Sequence, residues 1–180
     1  MGYSQAKKSW YIGHDILHFY NMKIRSVLES NCVVYHSMLT QEETRDIERI
    51  QKIVIKIILE HKYETYQQGC LHLDIDSLEQ RRVKLCLNFG LKCLSNPKFN
   101  NLFIPNTKNN IRNPDKFVVP FAKTTRYFNS PLPYITRLLN LHFRNMQSKK
   151  LWNVDNMQWT IDMWNILSLK YTETNTKLTN

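Results

Sequence analysis

Two carboxylates of this chain stand close enough in the sequence to share a metal ion. Asp74 and Asp76 form an Asp-x-Asp pair, the spacing with which some nucleotide-sugar glycosyltransferases hold a divalent cation. They also directly precede a predicted helix, where acidic side chains favour the helix dipole and cap the first turn. Because no glycine-rich phosphate loop or Rossmann-type strand pattern accompanies them, we interpret the pair as helix capping. The sequence predicts neither a metal site nor a bound cofactor.

A nucleophile beside a base is the second arrangement that could do chemistry. His36 and Ser37 are adjacent, and Cys32 is near them. The surrounding run, CVVYHSML, is apolar, which is typical of a packed, hydrogen-bonded histidine, so we predict no catalytic residue. The cysteines lack CxxC spacing and do not pair with histidines at zinc-ligand intervals. We expect reduced, mostly buried thiols at Cys32, Cys70, Cys86 and Cys93.

The basic residues favour polyanionic partners. The chain has 25 Lys and Arg against 15 Asp and Glu, a formal net charge of +10. Residues 1–95 hold 13 basic and 11 acidic side chains, whereas residues 96–180 hold 12 basic and 4 acidic side chains. Between residues 98 and 150, ten cations are opposed by Asp115 alone. The second half is therefore the electrostatic candidate for a nucleic-acid surface.

A helix predicted over residues 40–60 carries four cations on one narrow stripe, here named the basic ridge: Arg45, Arg49, Lys52 and Lys56. An apolar series is expected to be buried on the opposite side: Ile47, Ile50, Val54, Ile57 and Ile58. Such a ridge could follow a phosphate backbone. A solvated helix face has the same pattern, and the nearby Glu42, Asp46 and Glu48 favour that alternative.

The segment over residues 116–140, KFVVPFAKTTRYFNSPLPYITRLLN, interleaves cations with aromatic residues. Its candidate phosphate-binding cations are Lys116, Lys123, Arg126 and Arg137. Its aromatic side chains could stack on bases: Phe117, Phe121, Tyr127, Phe128 and Tyr134. The favoured alternative is an extended segment, punctuated by Pro114, Pro120, Pro131 and Pro133, that packs its aromatic side chains onto a helical core.

Helices are the elements predicted to position these residues. Residues 15–28 show helical spacing, with one side buried: Ile16, Phe19, Tyr20, Ile24, Val27 and Leu28. A short apolar connector follows over residues 33–39. Capping boxes at Thr40 with Glu43 and at Ser77 with Gln80 begin two longer helices, the second ending near Asn96-Pro97. Another short helix is expected over residues 155–169, before a disordered end.

We predict a mainly α fold: a small helical bundle, an extended basic proline-punctuated segment, and a short C-terminal helix. The predicted domains are a helical domain (1–96), a basic connector (97–140) and a divergent tail (141–180). The helix after Ser77 is apolar over two thirds of its circumference, including Phe89, and is expected to be central to the core. Arg82 falls inside this apolar arc. It should therefore be a structural residue that pairs with a carboxylate or with backbone carbonyls, and the nearby candidates are Asp74, Asp76 and Glu79.

Three successive runs carry a resemblance to a known family. They are FYNMKIRSVLESNCVVYHSMLT, DIERIQKIVIKIIL and LHLDIDSLEQRRVKLCLNFGLKCLSNPKF, within residues 19–99. This order resembles the region after the palm in reverse transcriptases of jockey-like, non-LTR retrotransposons, where the helical thumb begins. The similarity extends to about residue 140, and Tyr35 precedes His36 where the family more often has tryptophan. The resemblance implies a C-terminal, thumb-like part of an RNA-directed DNA polymerase.

The palm of such a polymerase holds its two metal ions with adjacent aspartates. This chain has no Asp-Asp pair, so we expect it not to polymerise alone. The resemblance implies that it binds RNA or an RNA–DNA duplex and contacts the palm of a parent polymerase. The alternatives are a domesticated helical protein-interaction module and a non-functional element remnant. We expect no membrane association and an intracellular location, in the nucleus or cytoplasm, because no apolar run approaches a membrane span.

Overall fold

The computed structural model describes residues 13–107 and 115–151, and these residues are mainly helical, which confirms the predicted fold class. Helix α1 covers residues 13–29 and includes a π-helical stretch, Tyr20–Arg25. The helices that follow are α2 (Cys32–Tyr35), α3 (Gln41–Leu59), α4 (Tyr66–His72), α5 (Leu78–Ser95), α6 (Thr125–Phe128) and α7 (Pro131–Leu151). Short 3₁₀ turns occupy His36–Met38, Glu60–Lys62 and Asn100–Leu102. The chain divides into two units, Met1–Asn140 and Leu141–Asn180.

The π-helical stretch explains where the predicted face of α1 is wrong. Tyr20 is buried as expected, but Phe19 is 59% exposed and Val27 is 72% exposed. A π-helix has i→i+5 hydrogen bonds and so inserts an extra residue into the turn. Side chains on its two sides are then no longer in the phase that a regular spacing of 3.6 residues predicts.

Local capping fixes the starts of the two long helices as predicted. The Thr40 hydroxyl accepts a hydrogen bond from the Glu43 backbone N–H, and the Glu43 carboxylate accepts one from the Thr40 N–H. Ser77 and Gln80 form the same reciprocal pair at the start of α5. Helix α5 ends at Ser95, because Asn96 takes an extended conformation before Pro97.

The predicted burial along α3 and α5 needs correction. Ile50 and Ile57 of α3 are exposed, whereas Gln51 and Ile55 are fully buried. The face of α3 that packs on the core is therefore not centred on the apolar series. It is rotated about the helix axis toward Gln51 and Ile55. Phe89 of α5, expected in the core, is 44% exposed.

Helix α5 contacts several other elements and supplies much of the core. Its buried residues are Leu78, Arg82, Cys86, Leu87, Gly90 and Cys93. Gly90 allows α7 to approach closely, since a Cβ placed there would lie 2.6 Å from Cγ2 of Ile135. The four cysteines are free and buried, as predicted.

The predicted extended segment is partly helical. Pro131 and Pro133 were expected to keep residues 131–140 extended, but they occupy the first turn of α7, where no backbone N–H is needed. Upstream, Pro105 and Phe117 form an isolated antiparallel bridge. The Asn140 side chain accepts from the Phe117 N–H and donates to the Phe117 carbonyl, both at 2.9 Å. These two hydrogen bonds hold Phe117 against α7.

Two further predictions concern short helices. The segment over residues 33–39, expected as a connector, is largely helical, because α2 runs directly into the turn His36–Met38. The short helix predicted over residues 155–169 and the predicted disordered end lie outside the described residues.

Candidate nucleic-acid interface

The four side chains of the basic ridge are all exposed on α3. Arg45 Nε donates to the Gln41 carbonyl at 3.2 Å, one turn back along the same helix. Arg49 Nη1 lies 3.8 Å from Asp46 Oδ1, and the Lys56 ammonium lies 5.3 Å from the centroid of the Tyr63 ring. These contacts are solvent-exposed and weak, so they leave the cations able to meet an external anion.

The spacing of the basic ridge suits a repeating anion. Its members follow one another at four, three and four residues, so they span about 16 Å along the helix axis. Phosphates on one strand of a duplex rise by about 3.4 Å per nucleotide along its axis. The basic ridge is therefore long enough to lie beside several consecutive phosphates.

A second exposed group lies over residues 121–127, before and within α6. Phe121 is 83% exposed and Tyr127 is 44% exposed. Lys123 and Arg126 are exposed between them. Two exposed aromatic rings with two exposed cations are the combination that single-stranded nucleic-acid sites use for stacking and phosphate contact.

Several of the other predicted site residues of this segment serve packing. Arg137 donates from Nη1 to the Phe128 carbonyl at 2.9 Å, and its guanidinium lies 3.8 Å from the Phe128 ring centroid. This contact joins α6 to α7. Phe117 and Tyr134 are buried, so for these rings the packing alternative is correct. Lys116 is exposed and lies 5.8 Å from the centroid of the Phe117 ring.

Helix α3 is held in place by Glu48, a contact that no sequence pattern indicated. Its carboxylate accepts hydrogen bonds from the backbone N–H groups of Leu78 at 3.3 Å and Glu79 at 2.5 Å, and from the Tyr66 hydroxyl. A carboxylate at a helix N-terminus is stabilised by free N–H groups and by the helix dipole. Glu48 thus ties the helix that carries the basic ridge to the start of α5.

Gln51 makes a second buried polar connection one turn further along α3. Its Oε1 accepts from the Tyr20 hydroxyl at 2.8 Å, and its Nε2 donates to the Asp76 carbonyl at 2.9 Å. Burial is the main cause that raises the pKa of Tyr20. The phenol therefore stays protonated and remains a donor, and α3 is fixed against both α1 and the loop before α5.

Arg82 of α5 is joined by a hydrogen bond to His36, which lies in the turn after α2. Arg82 is fully buried, as predicted, but its partners are His36 and Glu48 rather than Asp74, Asp76 or Glu79. Its Nε donates to His36 Nδ1 at 3.3 Å, and its Nη2 lies 3.9 Å from Glu48 Oε1. Burial, together with the positive charge of Arg82, lowers the pKa of His36 to about 4. His36 is therefore a neutral acceptor at pH 7, and it also packs edge-on against the Tyr134 ring.

The other residues that could do chemistry, the aspartate pair and the cysteines, have structural roles or surroundings in the described part of the chain. The Asp76 carboxylate accepts a hydrogen bond from the Lys84 ammonium at 2.6 Å, and Asp74 takes a left-handed backbone conformation at a turn. Burial raises the pKa of Cys86 to about 12, so this thiol is not a nucleophile at pH 7. In residues 13–107 and 115–151, no three His, Cys, Asp or Glu side chains lie where they could jointly hold a metal ion.

Comparison with protein-family models, curated proteins and solved structures finds no significant match. The resemblance to retrotransposon reverse transcriptases therefore stays a prediction. No helix in the described part of the chain is long and apolar enough to cross a lipid bilayer.

Proposed function

We propose that this chain binds nucleic acid, RNA or an RNA–DNA duplex, as the thumb-like part of a non-LTR retrotransposon reverse transcriptase. One observation carries the proposal: four exposed cations lie on a single stripe of a helix fixed at Glu48 and Gln51. Because the helix that carries them is held in place, the four cations keep their spacing, and its backbone need not be ordered when a phosphate backbone binds. The exposed group over residues 121–127 would add stacking on unpaired bases.

The basic ridge can be tested by removing its charge alone. Replacing Arg45, Arg49, Lys52 and Lys56 by glutamine keeps good helix propensity. If each cation meets one phosphate, the log–log slope of affinity against salt should fall by about 3 in magnitude. Fluorescence anisotropy on a labelled RNA–DNA hybrid measures both affinity and slope.

A matched control removes four other cations with exposed side chains, all outside the basic ridge and outside residues 98–150: Lys23, Lys62, Lys84 and Lys92. Both variants lose four positive charges, so a general effect of net charge would weaken both equally. Equal losses in the two variants would contradict a site at the basic ridge. A selective loss in the basic-ridge variant supports it.

A protein-interaction module is the second candidate function. Many large apolar side chains of the described residues are exposed, among them Met22, Val27 and Leu71, the last at 81%. Exposed apolar surface is typical of protein-binding sites, including a surface that would pack on a palm domain. Salt separates the two functions, because apolar contacts respond weakly to ionic strength.

A further inference from the structure

A stripe of exposed isoleucines runs along α3 beside the basic ridge. Ile50, Ile53 and Ile57 are 37%, 51% and 54% exposed. They follow one another at three and four residues, the a–d–a spacing of a coiled-coil seam. Side chains at these intervals are neighbours on a helix surface, so the three form one continuous patch, here named the isoleucine stripe. It is distinct from the buried face of Gln51 and Ile55.

The two edges of the isoleucine stripe differ in charge. At 100° per residue, the exposed Arg49 and Lys56 run along one edge. The half-buried Ile47 and Val54 run along the other edge. Asp46, which pairs weakly with Arg49 at 3.8 Å, lies in line with the stripe at its N-terminal end. A helix lying on the stripe would therefore place one of its own edges beside Arg49 and Lys56, where acidic side chains would be attracted and basic ones repelled.

We propose that the isoleucine stripe docks an amphipathic helix of a partner protein, with acidic residues along the edge that faces Arg49 and Lys56. Such docking buries apolar anchors at helical spacing and takes its orientation from the flanking charges. It does not depend on nucleic-acid binding. If the proposed function also holds, the acidic helix and nucleic acid compete for Arg49 and Lys56.

A second copy of this chain fits the stripe less well. Antiparallel pairing would bring Arg49 and Lys56 of each copy opposite the same cations of the other, which is repulsive. Parallel pairing would set these cations against Ile47 and Val54, with no opposite charge. The flanking charges therefore favour a heterologous partner over a second copy. Because only three partly exposed isoleucines form the patch, we expect this contact to be weak and transient.

The test uses the full chain and two designed helical peptides of about 18 residues. Both carry leucines at a and d positions; one has glutamates along the flanking edge, and the other has lysines there. We expect the glutamate peptide to bind and the lysine peptide to bind at least about tenfold more weakly. Ile53→Ser should weaken binding of the glutamate peptide by about tenfold, whereas Ile104→Ser, at an exposed isoleucine outside α3, should leave that binding unchanged.

Circular dichroism would check that both variants keep the fold, and nucleic-acid affinity would be measured in parallel. Unchanged RNA–DNA binding by Ile53→Ser with loss of the peptide separates this surface from the basic ridge. The proposal is overturned by equal binding of the two peptides, by no binding of either, or by Ile53→Ser binding like the unaltered chain. Self-association that Ile53→Ser abolishes in sedimentation would overturn it in favour of a homodimer.

Discussion

At the residue scale, several of the polar groups buried in this fold act across helices rather than within them. Glu48 caps the helix that starts 30 residues later in the sequence, and Arg82 meets His36 at a separation of 46 residues. Sequence periodicity places Arg82 in an apolar arc, because the position of a residue around a helix depends only on that helix. It could not identify the partners, since those depend on how separate helices are brought together.

Because Arg82 is buried and Lys84 of the same helix is partly exposed, replacing each by alanine should have different effects on stability. Arg82→Ala removes a fully buried side chain and leaves Glu48 and His36 without its charge, a loss of about 3 kcal/mol. Lys84 is 44% exposed in its pair with Asp76, so Lys84→Ala should cost less than about 1 kcal/mol. Thermal unfolding should show a decrease in Tm of about 6–12 °C for Arg82→Ala and under about 4 °C for Lys84→Ala. Equal melting temperatures would contradict the structural role of Arg82.

His36 makes stability depend on pH in the acid range. Its pKa is about 4 in the folded chain against 6.5 for an ordinary histidine, so the unfolded chain binds more protons between these values. The stabilisation is complete above pH 6.5 and is lost as pH falls toward 4. Between pH 7 and pH 5, His36 should lower the free energy of unfolding by about 2 kcal/mol. Urea titrations at the two pH values measure this difference.

His36→Gln is the matched control for that experiment, because glutamine can accept the Arg82 hydrogen bond but does not titrate. The variant should lose about 2 kcal/mol less than the unaltered chain between pH 7 and pH 5. The same decrease in both proteins would show that His36 is not the group responsible.

At the element scale, the parts that could be predicted are those encoded within one helix. Both capping boxes and the end of α5 at Asn96-Pro97 follow from residues that are neighbours in the sequence. The start of α7 was not predicted, because Pro131 and Pro133 were read as residues that break a helix. Proline does so only in the interior of a helix, and here both prolines lie in the first turn. The phase of α1 was missed because hydrophobic spacing does not indicate a π-helical turn.

The close approach of α5 and α7 depends on Gly90. In Gly90→Ala the new methyl group would meet Cγ2 of Ile135 at 2.6 Å and two Leu139 methyl carbons at 3.2 and 3.3 Å. Alanine favours a helix by about 1 kcal/mol over glycine, but overpacking costs about 1–3 kcal/mol. We expect net destabilisation by about 1 kcal/mol in chemical denaturation.

Asn88→Ala, at an exposed position of the same helix, is the control for Gly90→Ala. It gains helix propensity without meeting α7, so it should be neutral or slightly stabilising. A Gly90→Ala variant as stable as Asn88→Ala would argue against tight packing between α5 and α7.

At the scale of the whole molecule, helical periodicity predicts the mainly α fold. Together with the positions of the cations, it also predicts the basic ridge. The cations Arg45, Arg49, Lys52 and Lys56 are exposed together because their spacing repeats within one helix. Which apolar residues beside them face the core could not be predicted. Ile50 and Ile57 carry as apolar a side chain as Ile55, and the rotation of α3 agrees instead with the contacts that Glu48 and Gln51 make to other elements.

The central claim is that the basic ridge contacts phosphates, and the salt dependence of binding tests it most directly. The affinity of the full chain for an RNA–DNA hybrid would be measured by anisotropy from low to high ionic strength. Four phosphate contacts predict a log–log slope of about −3 or steeper. A slope near zero, or no binding even at low salt, would contradict the claim.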